Sequence, residues 1–381
     1  MKKTIVLCSL FLLVALACDS SSAVTDVMTA FPLTPTPTRA SAVPTVPVPE
    51  GSVQEIPMQV GYGARGSFYE IYFTDPFNPD ADRQEGGPDV PLVQAIDNAQ
   101  VSVDVAAYSM SLHSVRDALL RAQKRGVQVR MVMESTNMGS AVPQALLAEG
   151  MPIIGDNRPG LMHDKFMVID RSEVWTGSMN YTTSGTYDDN NNLIRIQSSQ
   201  VAEDYTVEFE EMFKNNFFGP DVVAKTPNPH LTIDGTPVEV YFSPDDKVAQ
   251  RIVELLRGAQ QSITFLAYSF TADDFGKIIT QKAKQGLKIN GVMEDEQVKS
   301  NKGTEFTYFE QAGLPVYRDG NPGQMHHKVF IIDDKIVITG SYNFSFSAET
   351  QNDENVMIFF DRQIAAEYLS EFARVEAQAQ Q

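Results

Sequence analysis

The chain is written twice, and this duplication constrains its fold more than any other feature. Val105-Ala106-Ala107-Tyr108-Ser109 returns as Phe265-Leu266-Ala267-Tyr268-Ser269, about 160 residues later. Arg125-Gly126-Val127-Gln128-Val129 returns at the same offset as Gln285-Gly286-Leu287-Lys288-Ile289. Gly150-Met151-Pro152-Ile153 is matched by Gly313-Leu314-Pro315-Val316, and Tyr205, Glu208 and Phe209 by Tyr368, Glu371 and Phe372. The order is kept and only loop lengths change, so the body consists of two copies of one folding unit. The first copy carries an extra Gly/Pro/Asp-rich stretch over 77–91, expected as a surface loop.

Both copies share one grammar. A β-branched run (101–107; 263–267) leads into an amphipathic helix (114–124; 273–284), a Gly stop and a second β run (127–133; 287–293). A short helix and a brief strand ending near Ile154 or Tyr317 precede a hairpin, in which 165–170 pairs with 173–176 and 329–333 with 336–339. Asp170-Arg171-Ser172 and Asp333-Asp334-Lys335 supply the turn residues. Strands alternating with helices predict an α/β fold with mixed sheets covered by helices.

The chemistry recurs in the same register. His163, Lys165, Asp170, Gly177, Ser178 and Asn180 are repeated as His326, Lys328, Asp333, Gly340, Ser341 and Asn343, each set reading H-x-K-x4-D-x6-G-S-x-N. One such pattern arises by chance in roughly one chain in a hundred thousand at average residue usage. In an extended segment residues i and i+2 share a side, so each His and its Lys address one cavity. A histidine can serve as nucleophile or general acid near neutral pH. Lys and Asn supply donors to phosphate oxygens where charge builds. Gly177 and Gly340 permit close backbone approach, and Ser178 and Ser341 add hydroxyl donors, so these four are expected to bind substrate. Asp170 and Asp333 fall at strand ends and are expected to secure the hairpin turns. Met162, Met325 and Trp175 read as packing residues, His113 and His230 as surface residues, and His327 as facing away from the cavity.

These motifs resemble the phospholipase D superfamily, often called the HKD family, over nearly the whole body from about Tyr69 to Phe372. The resemblance implies two tandem repeats, each a mixed β-sheet flanked by helices, packed with pseudo-twofold symmetry. It also implies one phosphodiesterase site formed where the halves meet, working without metal or other cofactor. One His would attack phosphorus and the other would protonate the leaving alcohol and then activate water. The catalytic set would be His163, Lys165, Asn180, His326, Lys328 and Asn343, with no obligate oligomer. Family members usually place an acidic residue downstream of each G-S-x-N to orient the opposite His. That position is Glu354 in the second half, which joins the catalytic set, and Asn191 in the first, which joins the substrate-binding residues. Crosswise pairing would put Glu354 on His163, making His163 the nucleophile and His326 the acid/base, unless Asp188 or Asp189 reaches in instead.

Composition bears on substrate and compartment. With 30 Lys and Arg against 49 Asp and Glu, a net charge of −19 leaves no whole-molecule positive field for a polyanion. Nucleic acid would need a local groove, for which Arg158, Arg318, Lys299 and Lys302 are the candidates, with Arg158 and Arg318 flanking the pocket. The two cysteines, Cys8 and Cys18, lie at the start, so the body has no disulfide framework and no Cys-ligated zinc. Lys2, Lys3 and the apolar run 4–17 form an export signal over 1–17. Ala15-Leu16-Ala17-Cys18 resembles a bacterial lipobox with Cys18 as the lipid-modified residue; a plain secreted protein is the alternative. A Pro/Thr/Ser-rich linker is expected over 18–57, then halves over 58–225 and 226–381. Phospholipid hydrolysis by an envelope-tethered protein is the leading expectation, a secreted endonuclease the second, and a non-catalytic phosphodiester-binding relative the alternative of another class. Membrane-embedded transferases would carry a further apolar span, and none follows residue 18.

Overall fold

The computed structural model describes residues 53–380, so the expected export signal, Cys18 and nearly all of the linker lie outside the described residues. The first half builds β1 (Gln54–Ile56), β2 (Tyr62–Arg65), β3 (Tyr69–Phe73), α1 (Asp89–Asn98), β4 (Ser102–Ala107), α2 (His113–Lys124), β5 (Gln128–Met133), α3 (Ala141–Ala148), β6 (Ile153–Gly155), β7 (Lys165–Ile169), β8 (Glu173–Gly177), α4 (Thr183–Tyr187), β9 (Asn192–Ile196) and α5 (Ser199–Asn215). The second builds β10 (His230–Ile233), β11 (Thr236–Ser243), α6 (Val248–Gly258), β12 (Ser262–Ala267), α7 (Asp273–Lys284), β13 (Lys288–Met293), α8 (Asp295–Ser300), α9 (Phe306–Gln311), β14 (Val316–Arg318), β15 (Lys328–Ile332), β16 (Ile336–Gly340), α10 (Phe346–Thr350), β17 (Glu354–Phe359) and α11 (Arg362–Ala379).

Each half forms one mixed sheet. The orders are β1-β2-β3-β9-β8-β7-β4-β5-β6 and β10-β11-β17-β16-β15-β12-β13-β14. Parallel pairing joins β4 to β5 and β12 to β13, as the strand–helix–strand crossovers require. The hairpins β7–β8 and β15–β16 are antiparallel. The expected elements are present, with two corrections at the edges. Gln54–Ile56 pairs with β2, so the sheet begins inside the segment expected as linker; the prolines that bar pairing end at Pro49 until Pro57. Pro91 falls in the first turn of α1, where its missing N–H costs no hydrogen bond, so the predicted surface loop stops short of it. Asp89 beside it is buried and accepts the hydroxyls of Ser114 and Tyr187.

Strand alternation sorts the core into layers. In β7, Phe166 and Val168 join a central cluster while Met167 and Ile169 join a cluster private to the first half. In β15, Val329 and Ile331 join the same central cluster while Phe330 and Ile332 join one private to the second half. The central cluster draws on both sheets and on α5 and α11 through Tyr205, Phe209, Tyr368 and Phe372. The outer clusters sit under α1–α3 and under α6, α7 and α9. Both halves fall in a single compact unit, and their shared apolar layer brings the ends of β7 and β15, with both H-x-K segments, to one seam. No helix among the described residues is long and apolar enough to cross a membrane.

Candidate active site

Each H-x-K segment enters its strand from a bridge to the opposite half. Met162 bridges Asp353 and Met325 bridges Asn190. His163 N–H donates to the carbonyl of Asp353 at 3.0 Å and His326 N–H to that of Asn190 at 2.9 Å. Each His is thus anchored by the segment leading into the other half's last strand, β17 or β9.

That placement produces crosswise pairing of the rings. His163 Nδ1 lies 2.6 Å from the Glu354 carboxylate. His326 Nδ1 lies 3.0 Å from Asn191 Oδ1 and 3.1 Å from the carbonyl of Ser178. Asp188 and Asp189 make no hydrogen bond to either ring; the Asp189 carboxylate instead accepts the N–H of Gln324. With the Nδ1 sides engaged, Nε2 of each ring is left for chemistry. Asn352 donates to the second Glu354 oxygen at 3.1 Å. The Glu354 side chain is fully buried, and burial raises its pKa to about 7 against the opposing charge of Lys165.

Lys165 and Lys328 converge on the same place. Each Nζ donates to the carbonyl of its own histidine at 2.6 Å. Both are almost completely buried. Burial lowers Lys165 to about 8, and burial together with the charge of Lys165 lowers Lys328 well below the usual ammonium range. Burial and the two ammonium charges push both histidines well below the ordinary imidazole value. Two lysines and two histidines are therefore gathered out of water at the seam, with the Glu354 carboxylate against one of the rings, an arrangement suited to receive an anion.

The G-S-x-N residues divide. Asn180 and Asn343 sit on the loops after β8 and β16, each with a buried side-chain oxygen that has no hydrogen-bond partner. The serines and glycines differ from expectation. Ser178 Oγ donates to Asn191 Oδ1 at 2.8 Å and accepts the N–H of Asn192, while Ser341 Oγ accepts the N–H of Asn355. Both hydroxyls are engaged by the strands that carry the groups facing the histidines, so they orient those groups where substrate contact was expected. Gly177 and Gly340 have φ of 140° and 148°, and a Cβ there would lie 2.4 Å from the carbonyl oxygen of Asn192 and 2.1 Å from that of Asn355. Their close approach is to the neighbouring strand, not to a ligand.

Two further pairs complete the site. Tyr108 and Tyr268 set their rings edge-on to His163 and His326, at centroid distances of 4.9 and 4.6 Å, with the adjacent Lys Nζ over each ring at 5.1 and 4.5 Å. Glu134 and Glu294 accept the N–H groups of Met162 and Met325, just before each His. The duplicated Ala-Tyr-Ser was the signal for the tyrosines. The glutamates directly follow Met133 and Met293, which end the second β run of each copy.

The expected basic groove is largely neutralised. Arg158 binds the buried Asp353 carboxylate and the carbonyls of Leu161 and Gln351. Lys299 pairs with Asp295 and Glu296, and Arg318 lies 3.5 Å from Asp295 and over the Phe306 ring. Lys302 is exposed. Asp170 accepts the N–H groups of Gln100, Val101 and Ser102, and Asp333 those of Gln260, Gln261 and Ser262, so both lock a helix–strand loop onto a hairpin. Trp175, Met162 and Met325 are core, and His113 and His230 are exposed.

Comparison with known proteins agrees with this architecture. A family model described as "Cardiolipin synthase, PLD-like domain" matches residues 92–213 and again 252–376. A phospholipase D from Rickettsia prowazekii is 34% identical over 132 residues, covering 35% of this chain and 64% of that protein. The human mitochondrial cardiolipin hydrolase is 29% identical over 130 residues, covering 34% of this chain and 51% of that protein. The chain thus spans between half and two thirds of the length of these curated relatives. The solved phosphatidylserine synthase of Haemophilus influenzae has a TM-score of 0.57 at 14% identity over 82% of this chain and 86% of that one, a likeness of fold.

Proposed function

Since the chain belongs to the phospholipase D-like domain family, we propose that it is a metal-independent phosphodiesterase that works through a phosphohistidine and hydrolyses a phospholipid to phosphatidate and free headgroup. The observation carrying this reading is the buried quartet of His163, Lys165, His326 and Lys328 with crosswise Nδ1 partners. Burial and the two ammonium charges depress both rings, and a phosphodiester anion between the lysines offsets the part due to charge. His163 is the nucleophile, because the Glu354 carboxylate stabilises the cationic ring formed on attack. Its Nε2 forms a bond to phosphorus as the bond to the leaving alcohol breaks, and that alcohol oxygen takes the Nε2 proton of His326. His326, now neutral, removes a proton from water, which attacks phosphorus and breaks the N–P bond. The two lysines and the amides of Asn180 and Asn343 stabilise the non-bridging oxygens as charge develops.

The acidic chain and the ion-paired Arg158 and Lys299 favour a lipid over nucleic acid. The export signal read over 1–17 and the lipobox-like Cys18 support reading the protein as a lipoprotein of the cell envelope, outside the cytoplasm. The test is turnover by mature protein of phosphatidylcholine, phosphatidylethanolamine, single-stranded DNA and double-stranded DNA, all with EDTA present. Lipid turnover abolished by His163→Ala supports the reading, and turnover of DNA alone replaces it with the endonuclease. No turnover of any of these or of bis-p-nitrophenyl phosphate leaves a binding protein.

A further inference from the structure

The middle residue of each H-x-K motif does work that the motif pattern leaves unassigned. Asp164 and His327 point opposite to the catalytic side chains and continue the inner face of β7 and β15, where Phe166, Val168, Val329 and Ile331 form the apolar layer between the halves. At the end of that layer the hydrocarbon gives way to a buried polar tier: Asp164, Thr176 and Asn192 from one sheet, His327, Thr339 and Asn355 from the other. Its hydrogen bonds cross the seam. Asn355 Nδ2 donates to Asp164 at 2.7 Å, while Asn355 Oδ1 accepts the hydroxyls of Thr176 at 2.7 Å and Tyr205 at 3.1 Å, all from the other half. In the mirror position Asn192 Nδ2 lies 3.1 Å from His327 Nδ1, and Asn192 Oδ1 accepts the hydroxyls of Thr339 at 3.3 Å and Tyr368 at 3.4 Å. His327 Nε2 is 3.0 Å from the Glu371 carboxylate.

Asn355 directly follows Glu354, and Asn192 directly follows Asn191. In a strand the two side chains of such a pair face opposite ways, so locking one toward the seam turns the other toward the catalytic face. We propose that Asp164 and His327 are positioning residues: through Asn355 and Asn192 they hold the ends of β17 and β9 in the register that sets Glu354 on His163 and Asn191 on His326. The tier is a key between the halves, and the catalytic pairs are read from it. The apolar layer below fixes the halves face to face but carries no directional bond. The tier at the catalytic end does, and a buried polar group without its partner is costly enough to reject a slipped register. The turnover consequence rests on the phosphodiesterase reading; the geometric one does not.

The test therefore reads the resting protein first. Ring-nitrogen NMR of histidine-labelled protein reports the tautomer of His163, assigned by its loss in His163→Ala. The wild type is expected as the Nδ1–H form held by Glu354, with Nε2 unprotonated. Asp164→Leu, which removes the acceptor for Asn355, is expected to convert His163 to mixed tautomers and, with a phosphodiester substrate, to lower kcat by about tenfold to a hundredfold with KM within about twofold, the size of one lost charge-assisted hydrogen bond. Asp164→Asn keeps an acceptor oxygen for Asn355 and is expected to retain the single tautomer and most of the turnover. Should Asp164→Leu fail to fold, Asn355→Asp and the double variant Asp164→Asn/Asn355→Asp decide. The single variant sets two carboxyls face to face and loses the tautomer; the double reverses donor and acceptor and regains it. An unchanged His163 tautomer in a folded Asp164→Leu, or no recovery in the double variant, overturns the proposal. A wild type with the expected tautomer but no turnover overturns the assigned function and leaves this inference standing.

Discussion

Replacing Glu354 by Gln keeps the shape of the site and removes one charge from its centre. The carboxylate is fully buried, 2.6 Å from His163 Nδ1, and also accepts from Asn352. A buried hydrogen bond to a charged group has a net worth of about 1.5–3 kcal/mol. If that interaction strengthens only when His163 becomes cationic, its loss appears in kcat, at about 1.4 kcal/mol per tenfold. The expected fall is therefore roughly tenfold to 150-fold. The partner geometry pushes toward the larger figure. An amide that offers its oxygen to His163 Nδ1–H turns its NH2 toward the donor Asn352; the reverse orientation forces the proton of His163 onto Nε2 and blocks the nucleophile. The assay is steady-state hydrolysis of bis-p-nitrophenyl phosphate across pH with thermal unfolding measured in parallel. The acidic limb of the wild-type profile is expected near neutrality, where Glu354 with its raised pKa of about 7 ionises, and is expected to shift in Glu354→Gln. A kcat within twofold of wild type, or a loss confined to KM, would show that the Glu354 charge does not stabilise the cationic His163 ring.

Further outcomes follow from the same geometry. Asn180→Ala and Asn343→Ala each remove an amide NH2 donor assigned to the non-bridging oxygens, and the amide oxygen lost with it has no protein partner, so kcat is expected to fall about tenfold or more while the melting temperature holds; a matching loss of stability would instead mark them as structural. Gly340→Ala is expected to cost more than about 2 kcal/mol in denaturant titrations, because the φ of 148° is unfavourable to alanine and the new Cβ would meet the Asn355 carbonyl at 2.1 Å. Asp333 has a pKa held below the ordinary carboxylate value by the N–H groups of Gln261, Ser262 and Gln260, against the effect of burial. Its contribution is therefore present above the unfolded value of about 3.9 and is lost as pH falls through the lower folded value. The stability gap between wild type and Asp333→Asn should accordingly be constant at neutral pH and close on acidification.

Much of this was legible in the sequence because duplication turns one pattern into two independent readings. Helix limits at 114–124 and 273–284 lie within a residue of α2 and α7, and the crosswise Glu354–His163 contact is the one that aligning Asn192-Leu193-Ile194 with Asn355-Val356-Met357 suggests. What the pattern could not give was direction. Ser178 and Ser341 carry hydroxyls suited to a phosphate, yet their burial beside Asn191, Asn192 and Asn355 depends on where a neighbouring strand lies. Arg158 precedes the first histidine in sequence as a free cation would, but its partner Asp353 is supplied by the other half. Glu134, Glu294 and the seam tier around Asn355 and Asn192 are likewise contacts between distant segments, which no local spacing encodes.

Catalysis through a phosphohistidine requires a covalent bond between His163 and phosphorus. Rapid-quench reaction of bis-p-nitrophenyl phosphate with His326→Ala, under alkaline denaturing conditions that preserve phosphohistidine and with EDTA present, tests it directly. p-Nitrophenolate needs no general acid to leave, whereas release of the phosphoryl group needs the base that this variant lacks. The expected result is a burst of about one p-nitrophenolate per protein, with the phosphoryl group mapped by peptide mass to His163 and absent from His163→Ala. A phosphoryl group mapped to His326 in the wild type, or turnover by the wild type with no covalent species at any time point, would contradict it.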